Sequence, residues 1–154
     1  MKIWIDADAC PAVIKEIVFK ASERLSVEVC LVANQELKIP KSSLISMVKV
    51  AKGFDVADAY IVTNLNANDM VITADVPLAA LVVEKGALAI NPRGELYNEG
   101  NISERLSVRN FMQSMRESGL IQGGGPAQFN PADKQRFAST FDKYLHILIK
   151  KDKK

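Results

Sequence analysis

The chain reads as an α/β protein, a mostly parallel sheet of about five strands flanked by helices, with two extra helices at the C-terminal end. Three observations predict this. Over the first two thirds, short apolar runs alternate with amphipathic helical patterns, the signature of a parallel sheet covered on both faces. The 154 residues, 48% hydrophobic and 25% charged, suit one ordinary globular domain. The last third carries helix signals without strands between them.

Residues 3–5 make the first strand, which stops abruptly at Asp6-Ala7-Asp8. Pro11 suits a first helical position because it has no N–H to leave unpaired. Val13, Ile14, Ile17, Val18 and Ala21 then recur at helical spacing, with Lys15, Glu16, Lys20 and Glu23 turned outward. Residues 27–32 and 45–50 read as the second and third strands, separated by a loop around Asn34 and Pro40. Asp55 opens a helix through Val62, closed by turn residues at 64–68. Residues 70–73 make a fourth strand that leads to Asp75. Pro77 starts a helix to Lys85, which Gly86 ends as a C-cap. Residues 87–90 form the fifth strand, before the turn Asn91-Pro92-Arg93-Gly94. Asn101 with Glu104 three positions on is a capping signature for a helix to about residue 117. Residues 119–130, with Gly123-Gly124-Gly125 at the centre, form a connector. Asn130-Pro131 starts a last helix to about residue 149, and both late helices are expected to pack back onto the sheet. The reading is thus one domain over 1–149 and a basic tail over 150–154.

Charge and cysteine usage narrow the function. In the last five residues four lysines stand against one aspartate, a sum of +3, so the remaining chain stands at −1 of the total +2. A near-neutral body does not bind duplex DNA by charge alone. Cys10 and Cys30 form neither a disulfide framework nor a metal-binding spacing. No apolar run is long enough for a membrane span. The early aspartates interrupt the apolar core that a signal peptide needs, so the expected location is the cytoplasm.

The acids are informative by position. Ligands of an open parallel sheet bind beyond the carboxyl ends of its strands, at a topological switch point. Asp6 and Asp8 end the first strand and Asp75 follows the fourth. Asp55 and Asp58, three apart at a helix start, share one helix face. Right-handed crossovers put all five on one edge of the sheet. Two such charges 4 Å apart repel by about 4 kcal/mol at an effective dielectric near 20. A cation among them relieves that repulsion, and hard oxygen ligands suit Mg²⁺ or Mn²⁺. Local roles also explain these residues singly: Asp55 and Asp75 as helix caps, Asp58 as a first-turn acid, Asp8 as a turn former. Asp6, directly after a buried strand, has the weakest local explanation.

Four stretches together carry a resemblance: Lys2-Ile3-Trp4-Ile5-Asp6-Ala7-Asp8-Ala9-Cys10-Pro11, Gly53-Phe54-Asp55-Val56-Ala57-Asp58, Val71-Ile72-Thr73-Ala74-Asp75-Val76-Pro77-Leu78-Ala79 and Asn91-Pro92-Arg93-Gly94-Glu95-Leu96-Tyr97. With Gly123-Gly124-Gly125-Pro126, they closely resemble the YaiI/YqxD family of bacterial proteins over nearly the whole chain. That family is similar in turn to the PIN-like nuclease superfamily, in which acids at the ends of strands one and four, and one on an intervening helix, hold a metal ion. The resemblance implies a PIN-like fold and a metal site of Asp6, Asp75 and one or both of Asp55 and Asp58. Asp8 has no fixed counterpart in most PIN sequences, and residues 76–80 lack the second acid that many carry.

Other constellations are weaker. Asp6-Ala7-Asp8 also resembles haloacid-dehalogenase-type phosphatases, with Asp6 as nucleophile, but the paired late acids of those enzymes are missing. Cys10 at a helix start is opposed by its neighbouring aspartates as a thiolate. Cys30 and Trp4 fit core positions, and His146 has no partner near in sequence. Thr73, Asn91 and Arg93 are polar residues at strand ends that could meet a substrate at the same rim.

The leading expectation is a metal-dependent nuclease acting on RNA or single-stranded nucleic acid. Asp6, Asp55, Asp58 and Asp75 would hold Mg²⁺ or Mn²⁺, Asp6, Asp8 and Asp75 would serve catalysis, and Thr73, Asn91 and Arg93 substrate binding. A non-catalytic nucleic-acid or protein-interaction module is the alternative from another class. The haloacid-dehalogenase-type phosphatase ranks behind both.

Overall fold

The computed structural model describes residues 1–53, 55–121 and 128–153. The chain order is β1 (Lys2–Asp6), a 3-10 turn (Ala7–Ala9), α1 (Ala12–Leu25), β2 (Glu28–Ala33), β3 (Ile45–Lys49), α2 (Val56–Asn64), β4 (Met70–Ile72), α3 (Val76–Glu84), β5 (Leu88–Ile90), β6 (Leu96–Tyr97), α4 (Ile102–Glu117) and α5 (Pro131–Asp152). The strands form one sheet in the order β3-β2-β1-β4-β5-β6. The first five are parallel and β6 is antiparallel to β5. This is the Rossmann-like order, in which the chain reverses direction across the sheet between β1 and β4. The sequence predicts five strands. The sixth, two residues long, is too short to leave a periodic signal.

Strict alternation along the strands builds two cores. Ile3 and Ile5 of β1, Val29 and Leu31 of β2, and Met70 and Ile72 of β4 face a layer made by α1 and α5. Trp4, Cys30, Val32 and Val71 face the opposite layer, made by α2 and α3. Trp4 and Cys30 are therefore core residues, as their place in the pattern predicts. By the same parity Asp6 leaves β1 on the α2/α3 side.

The long last helix is held by a stripe of Phe137, Phe141, Leu145 and Leu148, all buried. Its start is a capping box: the Asn130 side chain accepts from the Asp133 N–H and the Asp133 carboxylate from the Asn130 N–H. Gly94, at φ +89°, lies so close beneath this helix that a Cβ there would sit 2.5 Å from the Arg136 carbonyl carbon. The helix continues three residues beyond the predicted end, and Asp152 binds the Met1 amino group at 2.8 Å. Part of the sequence read as a tail thus ties the two chain ends together.

Two expectations about the last third are corrected. α4 has no buried residue and packs on α3 rather than on the sheet. Asn101 does not cap α4 through its side chain. Instead its amide donates to the Leu96 carbonyl at 2.8 Å and its side-chain oxygen accepts from the Asn98 N–H at 2.9 Å, closing the turn after β6. The glycine run at 123–125, predicted to be a connector, lies outside the described residues. Among the described residues no helix is long and apolar enough to cross a membrane.

Candidate functional site

Parallel strands β1 and β4 pair in the register Ile5↔Ile72, so the residues just beyond them arrive side by side at the switch point. Thr73, the first residue past β4, is buried and joins the two ends. Its hydroxyl donates to Asp6 Oδ2 at 2.9 Å and accepts from the Asp75 N–H at 3.0 Å. The Asp75 carboxylate in turn accepts from the Leu78 N–H at 3.1 Å as the N-cap of α3. Its capping role and its place at the rim are one arrangement.

α2 brings the remaining acids from across the crevice. Asp58 stands in its first turn, where it feels the charges of Asp75, Asp6 and Asp55. Burial first, then the charges of Asp75, Asp6 and Asp55, push the Asp58 carboxyl up to about 7. Asp6 is also raised, chiefly by burial and further by Asp75 and Asp8, while the Thr73 hydrogen bond works against the rise. Asp55 is exposed, in a left-handed backbone conformation at φ +64°, and its side chain does not cap α2. Asp8 is exposed on the 3-10 turn, where its Oδ2 accepts from the Asn34 N–H at 2.9 Å and fastens the chain after β2.

Asp6, Asp58 and Asp75 therefore converge, with Asp8 and Asp55 adding charge from either side. Among the described residues no group of three or more His, Cys, Asp or Glu side chains is placed to hold a metal ion. The donor set nevertheless has the chemistry for a hard divalent cation, because it consists of carboxylates that repel one another. Mg²⁺ keeps several of its waters and is commonly held by one or two carboxylates together with substrate phosphate. A partly assembled set fits that mode.

Asn91 and Arg93 do not join the carboxylates. They belong to the β5–β6 turn, where Asn91 Oδ1 accepts from the N–H groups of Arg93 and Glu95, each at 3.0 Å. The Arg93 guanidinium pairs with the buried Asp133 at 2.8 Å. Cys10 is buried beside the rim, and burial pushes its thiol up to about 12, away from the thiolate form.

Comparison with known proteins agrees with the motifs at this rim. The family model described as "Uncharacterized BCR, YaiI/YqxD family" matches residues 4–147. The chain belongs to the YaiI/YqxD family. It is 60% identical over 150 residues to a UPF0178 protein of Citrifermentans bemidjiense, covering 97% of each chain. It is 60% identical over 154 residues to a UPF0178 protein of Trichlorobacter lovleyi, covering 100% of this chain and 99% of the other. A UPF0178 protein of Shewanella sp. strain MR-7 is 59% identical over 144 residues, 94% of each chain. No solved structure matches at a significant level.

Two buried aspartates of this YaiI/YqxD chain escape sequence reasoning. Asp133 holds both Arg93 and Arg136 while capping α5. Asp69, at the amino edge of the sheet, accepts from the Lys2 N–H at 2.9 Å, the Trp4 indole at 3.1 Å and the Asn66 N–H at 2.9 Å. The turn at 64–68 signals only a loop there. The indole that Asp69 serves lies 65 positions away in sequence.

Proposed function

We propose that the protein is a metal-dependent phosphodiesterase acting on RNA or single-stranded nucleic acid. The observation that carries this reading is the tie between the two strand ends, where the buried Thr73 hydroxyl joins Asp6 to Asp75 in the crevice between β1 and β4 and Asp58 adds its charge from α2. Mutual repulsion is a standing cost of this arrangement, and cation binding offsets it. The resemblance to PIN-like nucleases, which rests on the same aspartates, points the same way.

Asp6, Asp58 and Asp75 would hold Mg²⁺ or Mn²⁺, with Asp55 contributing charge from the start of α2. The bound cation supplies Lewis-acid polarisation of a phosphoryl oxygen and neutralises charge that develops on it. Thr73 positions two ligands at once, aiming one Asp6 oxygen through its hydroxyl and fixing the backbone of Asp75. Asp58 takes up or releases a proton near neutrality, so its charge is available to a cation at physiological pH. Asp8 lies next to Asp6 at the exposed rim, where it would orient the attacking water.

Calorimetric titration of Mn²⁺ and Mg²⁺ into chelator-stripped protein tests the site, with Asp6→Asn alongside. Saturable binding that the substitution abolishes is the expected result. Nuclease activity on single-stranded RNA should then disappear in the Asp6→Asn/Asp75→Asn double variant. Full activity in that variant overturns the reading. RNA binding that is equal in chelator and in the double variant, without turnover, makes the protein a binding module instead.

A further inference from the structure

Beside the carboxylates in sequence, Ala9 and Ala74 line a cavity of about 270 Å³ together with Pro11, Pro92, Arg93 and Phe129. Ala74 is bonded to both Thr73 and Asp75, and Ala9 belongs to the turn that carries Asp8, so the cavity and the carboxylates share backbone. Its lining comes from the residues just before α1 and α5 and from the β5–β6 turn, whereas α2 and α3 bring Asp58 and Asp75 to the rim.

We propose that this cavity holds one unpaired base of a nucleic-acid strand while a neighbouring phosphate of that strand lies at the carboxylates. The inference rests on the phosphodiesterase reading and makes it specific for single strands. Three features support it. The volume is below the range of clefts that enclose drug-sized ligands, and it suits one heteroaromatic ring system rather than a stacked pair. Beside two prolines the lining includes Phe129 and Arg93, the two kinds of side chain on which unstacked bases stack. The Arg93 guanidinium is fixed by Asp133, which is 2% exposed, so its orientation is set before a ligand arrives. A base inside a duplex reaches such a cavity only by leaving its stack. Asn91 commits its side-chain oxygen to two backbone N–H groups of the turn. The cavity therefore reads the presence of a ring more than its identity, and little sequence preference is expected.

The first probe is adenosine monophosphate against ribose 5-phosphate, titrated with Mg²⁺ present; neither has a phosphodiester bond to cut, so binding is measured apart from catalysis. The monophosphate should bind the more tightly. Phe129→Ala should weaken it about tenfold or more, as loss of one stacking contact does, and leave ribose 5-phosphate unchanged. Ala74→Leu, at an exposed position and intended to fill the cavity, should have the same effect without removing a packed side chain. Equal binding of the two probes, or a difference that survives both variants, overturns the proposal.

Cleavage separates this proposal from the one beneath it. In an oligonucleotide with one abasic position, cutting next to that position should fall by a similar factor. Undiminished cutting there, lost in Asp6→Asn/Asp75→Asn, refutes the base cavity and leaves the phosphodiesterase standing. No cutting with any divalent metal, alongside Phe129-dependent binding of the monophosphate, supports the base cavity while the catalytic reading fails.

Discussion

Substituting Asp58 by Asn should make the protein more stable at pH 8, and at pH 5 by only about a third as much. The folded carboxyl group titrates near 7 against an ordinary value of 3.8. Between these values the folded chain keeps a proton that the unfolded chain has released. Stability from this group is thus present at low pH and lost as pH rises through the window from about 4 to 7. Above it, the folded protein carries the full repulsion among Asp58, Asp75, Asp6 and Asp55. Each tenfold change in proton affinity is worth about 1.4 kcal/mol. Because Asp58 is only half-buried, solvent screening reduces the total effect to about 1–2 kcal/mol. Asn mimics the protonated acid, since it has nearly the same shape and carries no charge.

Thermal unfolding followed by circular dichroism, in chelator at both pH values, reads the difference. About 2–4 °C per kcal/mol for a chain of this size converts the effect to a Tm gain of roughly 2–8 °C at pH 8. The ordering should reverse with metal: saturating Mn²⁺ at pH 8 should raise the wild-type Tm more than that of Asp58→Asn. An equal shift at both pH values, or a lower Tm for the variant at pH 8, refutes the reasoning, because repulsion would then not govern the site.

Thr73→Val removes the hydrogen bond that restrains the rise at Asp6, so half-maximal Mn²⁺ binding should move to higher pH in calorimetry. Asp69→Ala deprives three N–H donors of their acceptor at the opposite edge; urea unfolding should show a loss of about 2–5 kcal/mol, with Mn²⁺ affinity unchanged. Gly94→Ala forces a Cβ against the α5 backbone at φ +89° and should lower stability by about 2 kcal/mol or more in the same assay.

What the sequence reveals depends on how local each cause is. Alternation in β1 and β2 and the helical spacing in α1 and α5 are set by burial of near neighbours, and they are legible. The acids at the rim are legible for a related reason: a strand that ends in Asp6, and another whose next turn holds Asp75, can be placed at one edge by connection rules alone. Thr73, Asn91 and Arg93 look alike in sequence, as polar residues after strands, yet they part company in the fold. Thr73 points into the seam between β1 and β4. Asn91 turns back on its own loop, and the partner that holds Arg93 is 40 residues away. Asp133 and Asp69 are illegible for the same cause. Asn101 shows the opposite error, where a capping spacing is present but the turn after β6 claims the side chain.

Comparison of the two edges of the sheet explains why the rim, and not the molecule at large, invites a ligand. Asp69 at the amino edge receives three N–H donors and is buried, so its charge is satisfied within the chain. Asp6 at the carboxyl edge of the same strand pair has the Thr73 hydroxyl and then other acids for neighbours. Both aspartates are held by β1 and β4, so strand placement does not separate them; the supply of donors does. Packing had a ready remedy, as Asp133 shows with two arginines against one buried carboxylate. No such cation is placed beside Asp6, Asp58 and Asp75 among the described residues. A fold that satisfies Asp69 and Asp133 within the chain and crowds its acids here maintains a local cost, and the cation proposed for this rim would relieve it.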